Sequence, residues 1–365
     1  MTATSAALQR PGPQPLLAER LDPAVWAQRH LAGLPSLGGL AWGCTGPGLA
    51  AVGMPVLSAG GPWIDCFTGA TAAMATGVSD PPHRNSTGRV LWQADADWAF
   101  GHIDLPDVDV EADCDLAKTS YRAYTELFAA LKACGRPHLQ RLWNYLPRIN
   151  ADGGGLERYR QFNIGRQQAF LDAGRDAFGG SPAACALGTA GGGLAIRFLA
   201  GRVPPLPLEN PRQVPAWRYS TQHGPRAPTF SRAALAEAGG GQVLLLVSGT
   251  ASIVGETSLH PGDVQAQTRE TLRNLQAVLD AAMARCSARF SLGMLQPTIY
   301  VRHAADAPAV LALWAQAVAG AGAGAGAGSG AMFGAPQACC VQADICRAEL
   351  LVEIEAHALA AGALA

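Results

Sequence analysis

The chain has 365 residues, 49% of them hydrophobic and 15% charged, with a formal net charge of -1. That length predicts two domains of ordinary size, and the composition predicts a globular chain with a sizeable core rather than a disordered one. A near-neutral balance argues against a nucleic-acid partner, which requires a basic face.

The cations are almost all arginine, Lys118 and Lys132 being the lysines. Genome composition produces such a bias, but arginine is also the side chain that grips carboxylates in a bidentate way. The N-terminal MTATSAALQRPGPQPLL lacks the basic start and apolar run of a secretory leader, and no segment reads as long enough to cross a bilayer. A cytoplasmic protein with no membrane partner is expected. Nine cysteines without a CxxC pair or a Cys/His ladder predict free thiols, mostly in the core, and neither a zinc site nor a disulfide framework. No metal or organic cofactor is expected.

Taken in order, the first 110 or so residues are rich in Gly and Pro, with short apolar runs such as Leu49 to Leu57 and Arg89 to Trp92 that predict strands joined by turns. From Leu116 to Ala133, Tyr121, Tyr124, Leu127, Phe128 and Leu131 recur at helical spacing, and Gly135 and Pro137 follow as a stop. Next comes LWNYLPRINADGGGLERYRQFNIGRQQAFLDAG, dense in arginine and aromatics. Its second half, Leu156 to Ala173, predicts a helix with Tyr159, Phe162, Arg166 and Ala169 along one stripe. An arginine on an apolar stripe needs a partner, either a protein carboxylate or an anionic ligand.

ACALGTAGGGLAIRFLAG reads as two strands around a glycine turn; it lacks the lysine and spacing of a phosphate loop. The Pro-rich run that follows, PPLPLENPRQVPAWRYSTQHGPRAPTFSRA, carries too many arginines and aromatics for a plain linker. From Gly241 the pattern is β-β-α-β-α-β-β: a buried strand and a short apolar piece, a helix capped by Asp263, the strand LQPTIYVRH, the helix APAVLALWAQAVAG and the closing strands. This order predicts an α+β layer with helices over one sheet face. Gly320 to Gly330, mostly alternating Gly and Ala, reads as a loop expansion without chemistry of its own.

The last strand is the centre of interest. Leu351, Glu353, Glu355 and His357 alternate with Val352, Ile354 and Ala356, so two carboxylates share a face with apolar neighbours. Periodicity alone favours a solvated edge strand. The other reading is a carboxyl group held in apolar surroundings, where its ionised form is disfavoured and it donates a proton near neutral pH.

VSGTASIVG, GDVQAQTRETLRNLQAVLDAA, PTIYVR and LLVEIEA resemble the RidA/YjgF fold, itself similar to trimeric chorismate mutase. The longer set WNYLPRIN, LERYRQFNIGR, ENPRQVPA, GPRAPTFSR and ADICRAELLVEIE resembles the chorismatases, from about Trp143 to the C-terminus. The resemblance implies two RidA-like domains, each a mixed β-sheet with helices packed on one face. Residues 1–225 would form a degenerate first copy with substrate-binding segments, and 226–365 the catalytic copy. RidA homologues are trimers with sites between subunits, so a homotrimer is implied, or a monomer in which the fused copies supply those contacts.

The resemblance implies conversion of chorismate to pyruvate and a hydroxybenzoate, with Glu353 as the acid that protonates the enolpyruvyl methylene and Glu355 as scaffold. The arginine of RidA-type imine deaminases falls here at Ala338, so that chemistry lacks its anchor. Cys346 resembles the cysteine that contacts the ring hydroxyl in hydroxybenzoate-forming members, whereas Ala251 matches members that form the cyclohexadiene diol. The 3-hydroxy product, the 4-hydroxy product and hydrolysis to the diol therefore stay open, as does a non-catalytic RidA-like metabolite binder. Trp217 and His223 stand where the family pattern has tyrosines. Arg160 and Arg166, with Tyr159 and Tyr219 as hydroxyl donors, are the expected hold on the substrate carboxylates.

Overall fold

The structure, a computed structural model, describes residues 15–32, 34, 36–57, 62–68, 75–79, 90–105, 115–322 and 338–365. Short apolar runs between Gly and Pro turns form the first sheet: β1 (Leu17–Leu21), β2 (Gly38–Trp42), β3 (Leu49–Val52) and β4 (Trp63–Thr68), with α1 (Pro23–Leu31) after β1. Asp22 caps α1 by accepting from the Ala24 amide, and Pro23 brings a preset φ to its first position. The strand expected from Leu49 to Leu57 ends at Val52, and Val56 makes only an isolated bridge to Val341.

The second unit comprises β5 (Ala75–Ser79), β6 (Val90–Ala94), β7 (Trp98–Asp104), α2 (Leu116–Cys134), β8 (His138–Pro147), α3 (Arg158–Asp172), β9 (Ala183–Thr189) and β10 (Ala195–Gly201). Asp115 caps α2 by accepting from the Ala117 and Lys118 amides, and Gly135 ends it at φ 69°, a conformation open to glycine. A connection from Arg202 to Arg232 follows, with β11 (Leu206–Leu208) and single-turn helices at Ala216–Arg218 and Thr221–His223. The expected boundary at 225/226 lies in this connection.

The third unit holds β12 (Ala233–Gly239), β13 (Gln242–Ala251), β14 (Ile253–Val254), β15 (Thr257–Ser258), α4 (Val264–Met283), β16 (Gln296–Val301), α5 (Ala307–Gly322), β17 (Cys339–Gln342), β18 (Asp344–Ile345) and β19 (Val352–Ala361). Asp263 caps α4 as expected, accepting from the Ala266 amide. The Gly/Ala run begins inside α5, which extends through Gly322; residues 323–330 lie outside the described residues. Against the expectation that no segment could cross a bilayer, Ala304–Ala321 is long and apolar enough to do so by composition, with mean hydropathy 1.2 over 18 residues. Here it serves as the second helix of its unit, with Val310 and Trp314 in the core.

The second and third units share one topology. β6-β7-α2-β8-α3-β9-β10 folds to the strand order β6-β7-β10-β8-β9, and β12-β13-α4-β16-α5-β17-β19 to β12-β13-β19-β16-β17. In each, the two strands bracketing the second helix pair in parallel, and the last strand inserts antiparallel between the second and third. The first sheet, ordered β1-β4-β2-β3, repeats the arrangement β7-β10-β8-β9 with a single helix. The two complete α+β copies are therefore joined by a smaller four-stranded relative.

Each sheet turns one face to its own helices and the other to a shared interior. Leu142 and Leu146 of β8 pack with α2 and α3, and Val352, Ile354 and Ala356 of β19 pack with α4 and α5. Trp42, Tyr145 and Tyr300, from the equivalent strands β2, β8 and β16, meet in the centre, with Trp42 edge-on to both tyrosines at 6.1 and 6.0 Å between ring centroids. Three arginines buried at the seams are paired across them. Arg141 donates to Glu355 and to the Val247 carbonyl, Arg20 reaches Asp65 and the Pro297 carbonyl, and Arg197 reaches the Ala51 carbonyl.

The solvated edge strand favoured by periodicity is overturned. β19 is a central strand between β13 and β16, covered on one face by helices and on the other by the neighbouring sheets. Glu353 and Glu355 are each 3% exposed.

Candidate active site

Glu353 opens into a cleft of about 470 Å³ at the seam between the second and third units. β13 and β19 form its floor through Gly249, Ala251 and Glu353; the turn after β8 and the start of α3 form one wall, with Tyr159 and Arg160. The connection supplies the opposite wall with Tyr219, His223, Phe230 and Arg232, and the turn before β19 adds Cys346 and Arg347. Such a volume, lined by aromatic rings and by many charged and polar groups, suits a polar small-molecule ligand.

Burial, and then the nearby Glu355, raise the Glu353 carboxyl from an ordinary value of 4.5 to about 8, against the pull of Arg141 and Arg232. It is therefore a protonated acid at neutral pH. The Cys346 thiol donates toward Glu353 Oε2 at 3.9 Å, and burial together with Glu353 pushes this thiol well up, so it stays protonated. Burial likewise keeps the Tyr159 phenol in its donor form. Glu355 is held differently: it accepts from Arg141 and, at 2.6 Å, from the Tyr300 hydroxyl. Both its oxygens are occupied at the seam, which fits the scaffold role implied for it.

Of the residues expected in the site, Glu353, Cys346, Tyr159, Arg160, Tyr219 and Ala251 line this one cleft. Arg166 does not. It is 2% exposed, and its guanidinium lies among the rings of Tyr124, Phe162 and Phe170, 5.5 to 5.9 Å from their centroids. The expected helix forms, and its arginine stacks against the aromatic core of the second unit, with Nε and Nη2 buried without a hydrogen-bond partner. Arg160 is half-exposed and shares its charge with Glu157 at 3.1 Å. His223 lines the cleft beside Tyr219, at 5.1 Å between rings, while Trp217 packs edge-on against Phe178 outside it. Ala338 immediately precedes β17 and is not part of the lining.

Two cleft arginines were missed, although both lie inside motifs visible in the sequence. Arg232 donates to Tyr219 Oη at 2.6 Å and to the Val214 carbonyl; Arg347 donates to the Glu256 carbonyl at 2.8 Å and to Ser258 Oγ. Their guanidiniums lie over the Tyr219 ring at 5.5 and 5.1 Å. Arg232 Nε and Arg347 Nη2 are buried without a hydrogen-bond partner. Unsatisfied buried donors on cations at a cleft wall are places for an anion. Among the described residues no three His, Cys, Asp or Glu side chains are placed to hold a metal ion.

Residues 76–200 match the family described as chorismatase FkbO/Hyg5-like, N-terminal, and residues 227–360 the family described as endoribonuclease L-PSP. A 3-hydroxybenzoate synthase of Streptomyces hygroscopicus is 39% identical over 246 residues, spanning 64% of this chain and 67% of that protein. A chorismatase of Streptomyces rapamycinicus is 34% identical over 290 residues, spanning 78% and 81%. A crystal structure of a chorismatase aligns with a TM-score of 0.78 at 25% identity, covering 96% of this chain and all of that one. Identity above 30% over most of the length of the two Streptomyces relatives, together with the matching fold, makes this chain a member of the chorismatase family.

Proposed function

We propose that the protein converts chorismate to pyruvate and a hydroxybenzoate, with Glu353 as the acid. The observation that carries this reading is the buried carboxyl raised to about 8 on the floor of a cleft whose walls present unpaired arginine donors. Chorismate brings two carboxylates and an enolpyruvyl ether. Arg232 and Arg347, with Arg160 at the rim and the Tyr159 and Tyr219 hydroxyls, would hold the carboxylates, each charge-assisted bond contributing roughly 1.5–3 kcal/mol.

Glu353 then delivers its proton to the methylene carbon, turning the enol ether into an oxocarbenium-like centre. Attack on that centre by a ring hydroxyl of the same molecule leads to loss of pyruvate and an aromatic hydroxybenzoate, with no net water consumed. Attack by water instead gives pyruvate and the dihydroxycyclohexadiene carboxylate. Cys346, 3.9 Å from Glu353, supports the aromatic product, 3-hydroxy, 4-hydroxy or both; Ala251 on the same floor supports hydrolysis as the second reading. The free thiols fit a reducing, cytoplasmic setting. One chain supplies both walls, so the site needs no second copy in this reading.

Purified protein incubated with chorismate should release pyruvate, followed with lactate dehydrogenase and NADH, and chromatography of the ring product distinguishes the two routes. No pyruvate above the spontaneous rate would falsify the proposal.

A further inference from the structure

β13 and β19 pair in regular register up to Val247 opposite Ala356, then resume at Thr250 opposite Ile354. Ser248 and Gly249 thus lie opposite Glu355 alone, a β-bulge beside the proton donor. Bulges re-aim side chains where they occur. This one is fixed on three sides. The fully buried Ser248 hydroxyl donates to the Ser231 carbonyl and accepts from the Ala184 amide of β9 at 2.9 Å, and the Ser248 amide donates to the Arg232 carbonyl at 3.0 Å.

At Gly249 the carboxyl group of Glu353 lies directly over the backbone. A Cβ there would stand 1.9 Å from Glu353 Oε1 and 2.7 Å from its Cδ, with the Cys185 Cβ at 3.3 Å behind it. The backbone cannot yield without breaking the Ser248 bonds, and the Glu353 strand is anchored two residues away by the Glu355 lock. The carboxyl group would have to move by more than an ångström.

We infer that the Ser248–Gly249 bulge positions the proton donor, and that Gly249 is required because a side chain there would occupy the place of the Glu353 carboxyl. The inference rests on Glu353 being the acid. A donor displaced by an ångström loses about 10²-fold in rate.

The test compares wild type, Gly249→Ala, Glu353→Ala and the double variant. Gly249→Ala should lower kcat by about 10²-fold with a smaller change in KM, and should lower Tm when Glu353 is present but not in the Glu353→Ala background. Asp is one methylene shorter than Glu, so Glu353→Asp should reduce activity in the native background and restore part of it beside Gly249→Ala. The melting arm requires no catalysis, so it judges the geometry even if the proposed reaction fails, and it holds if Gly249→Ala alone does not fold. Equal loss of Tm in both backgrounds, a double variant that fails to fold while Glu353→Ala folds, or unchanged kcat in Gly249→Ala overturns the inference.

Discussion

β10 and β19 occupy the same place in the two complete copies, yet they are put to different uses. Tyr145 of β8 stands opposite Ala195 of β10, and Tyr300 of β16 opposite Glu353 of β19. Two residues on, the buried charge is Arg197 in one copy and Glu355 in the other; in the small first sheet the matching positions are Trp63 and Asp65. At the inner of these positions the repeated fold stitches sheets together through buried ions. At the outer one, a single copy carries a carboxylic acid facing a cleft. The fold supplies equivalent seams, and function is grafted onto one of them by the side chain at one register position.

The largest effect should come from removing what distinguishes the two strands. Glu353→Gln keeps the shape and the strand pairing but cannot deliver the proton, so pyruvate release should fall about 10²- to 10⁴-fold while the circular dichroism spectrum is retained. Equal turnover in the two proteins would remove Glu353 from the mechanism.

Next in size is the stitching role. Arg141→Met leaves Glu355 buried without its cation and should cost about 3–5 kcal/mol of stability, seen as a lower midpoint in denaturant. Adding Glu355→Leu should recover much of that loss, because an apolar pair of similar volume replaces the buried ions. A double variant as unstable as the single one would place the importance of Glu355 elsewhere.

Arg347→Gln should raise KM by about 10- to 10²-fold, the equivalent of one charge-assisted contact, with a smaller change in kcat. Unchanged KM would move the carboxylate hold to Arg232 or Arg160.

The smallest effects are those of pH. In the free protein Glu353 is active when protonated, so kcat/KM should fall about tenfold per unit above about 8, and Glu353→Gln should lack that limb. Stability carries the same signature. The folded chain holds a Glu353 proton that the unfolded chain releases from 4.5 upward, so this group's contribution is lost as pH rises toward about 8. His357 runs the other way: burial lowers it from 6.5 to about 4, so its contribution is present above 6.5 and lost on acidification. Melts between pH 6.5 and 8 should therefore slope downward in wild type and flatten in Glu353→Gln, whereas between 4.5 and 6.5 the two groups oppose each other in wild type, so the loss on acidification should emerge in Glu353→Gln.

The C-terminal copy was legible because its signals are local. Asp263 precedes a long amphipathic run, and β13, β16 and β19 are apolar and bounded by turns. β12 escaped because AALAEAG is poor in β-branched and aromatic residues and becomes a strand by pairing with β13. The small first sheet was legible only as strands joined by turns: its strands are four to six residues long, and β1 finds its partner β4 across the intervening helix and strands. β19 itself was misread by periodicity because alternating charge and apolar residues look half-solvated. On its inner face Glu355 is paired across the seam by Arg141, 214 residues distant, and Glu353 is buried on the floor of a cleft.

What the sequence determined by itself is the order of elements from Gly241 onward, the face of β19 that carries Glu353 and Glu355, and, through its motifs, the placing of Cys346 near Glu353. These follow from spacing along a strand or helix and need no distant partner. The tertiary structure decided which carboxylate is free and which is locked, that Arg166 belongs to an aromatic core and Arg232 and Arg347 to the cleft, and that Gly249 lies under the Glu353 carboxyl. Each of those depends on desolvation and on contacts between units far apart in the chain, and burial, more than residue type, sets what a carboxyl or guanidinium group can do.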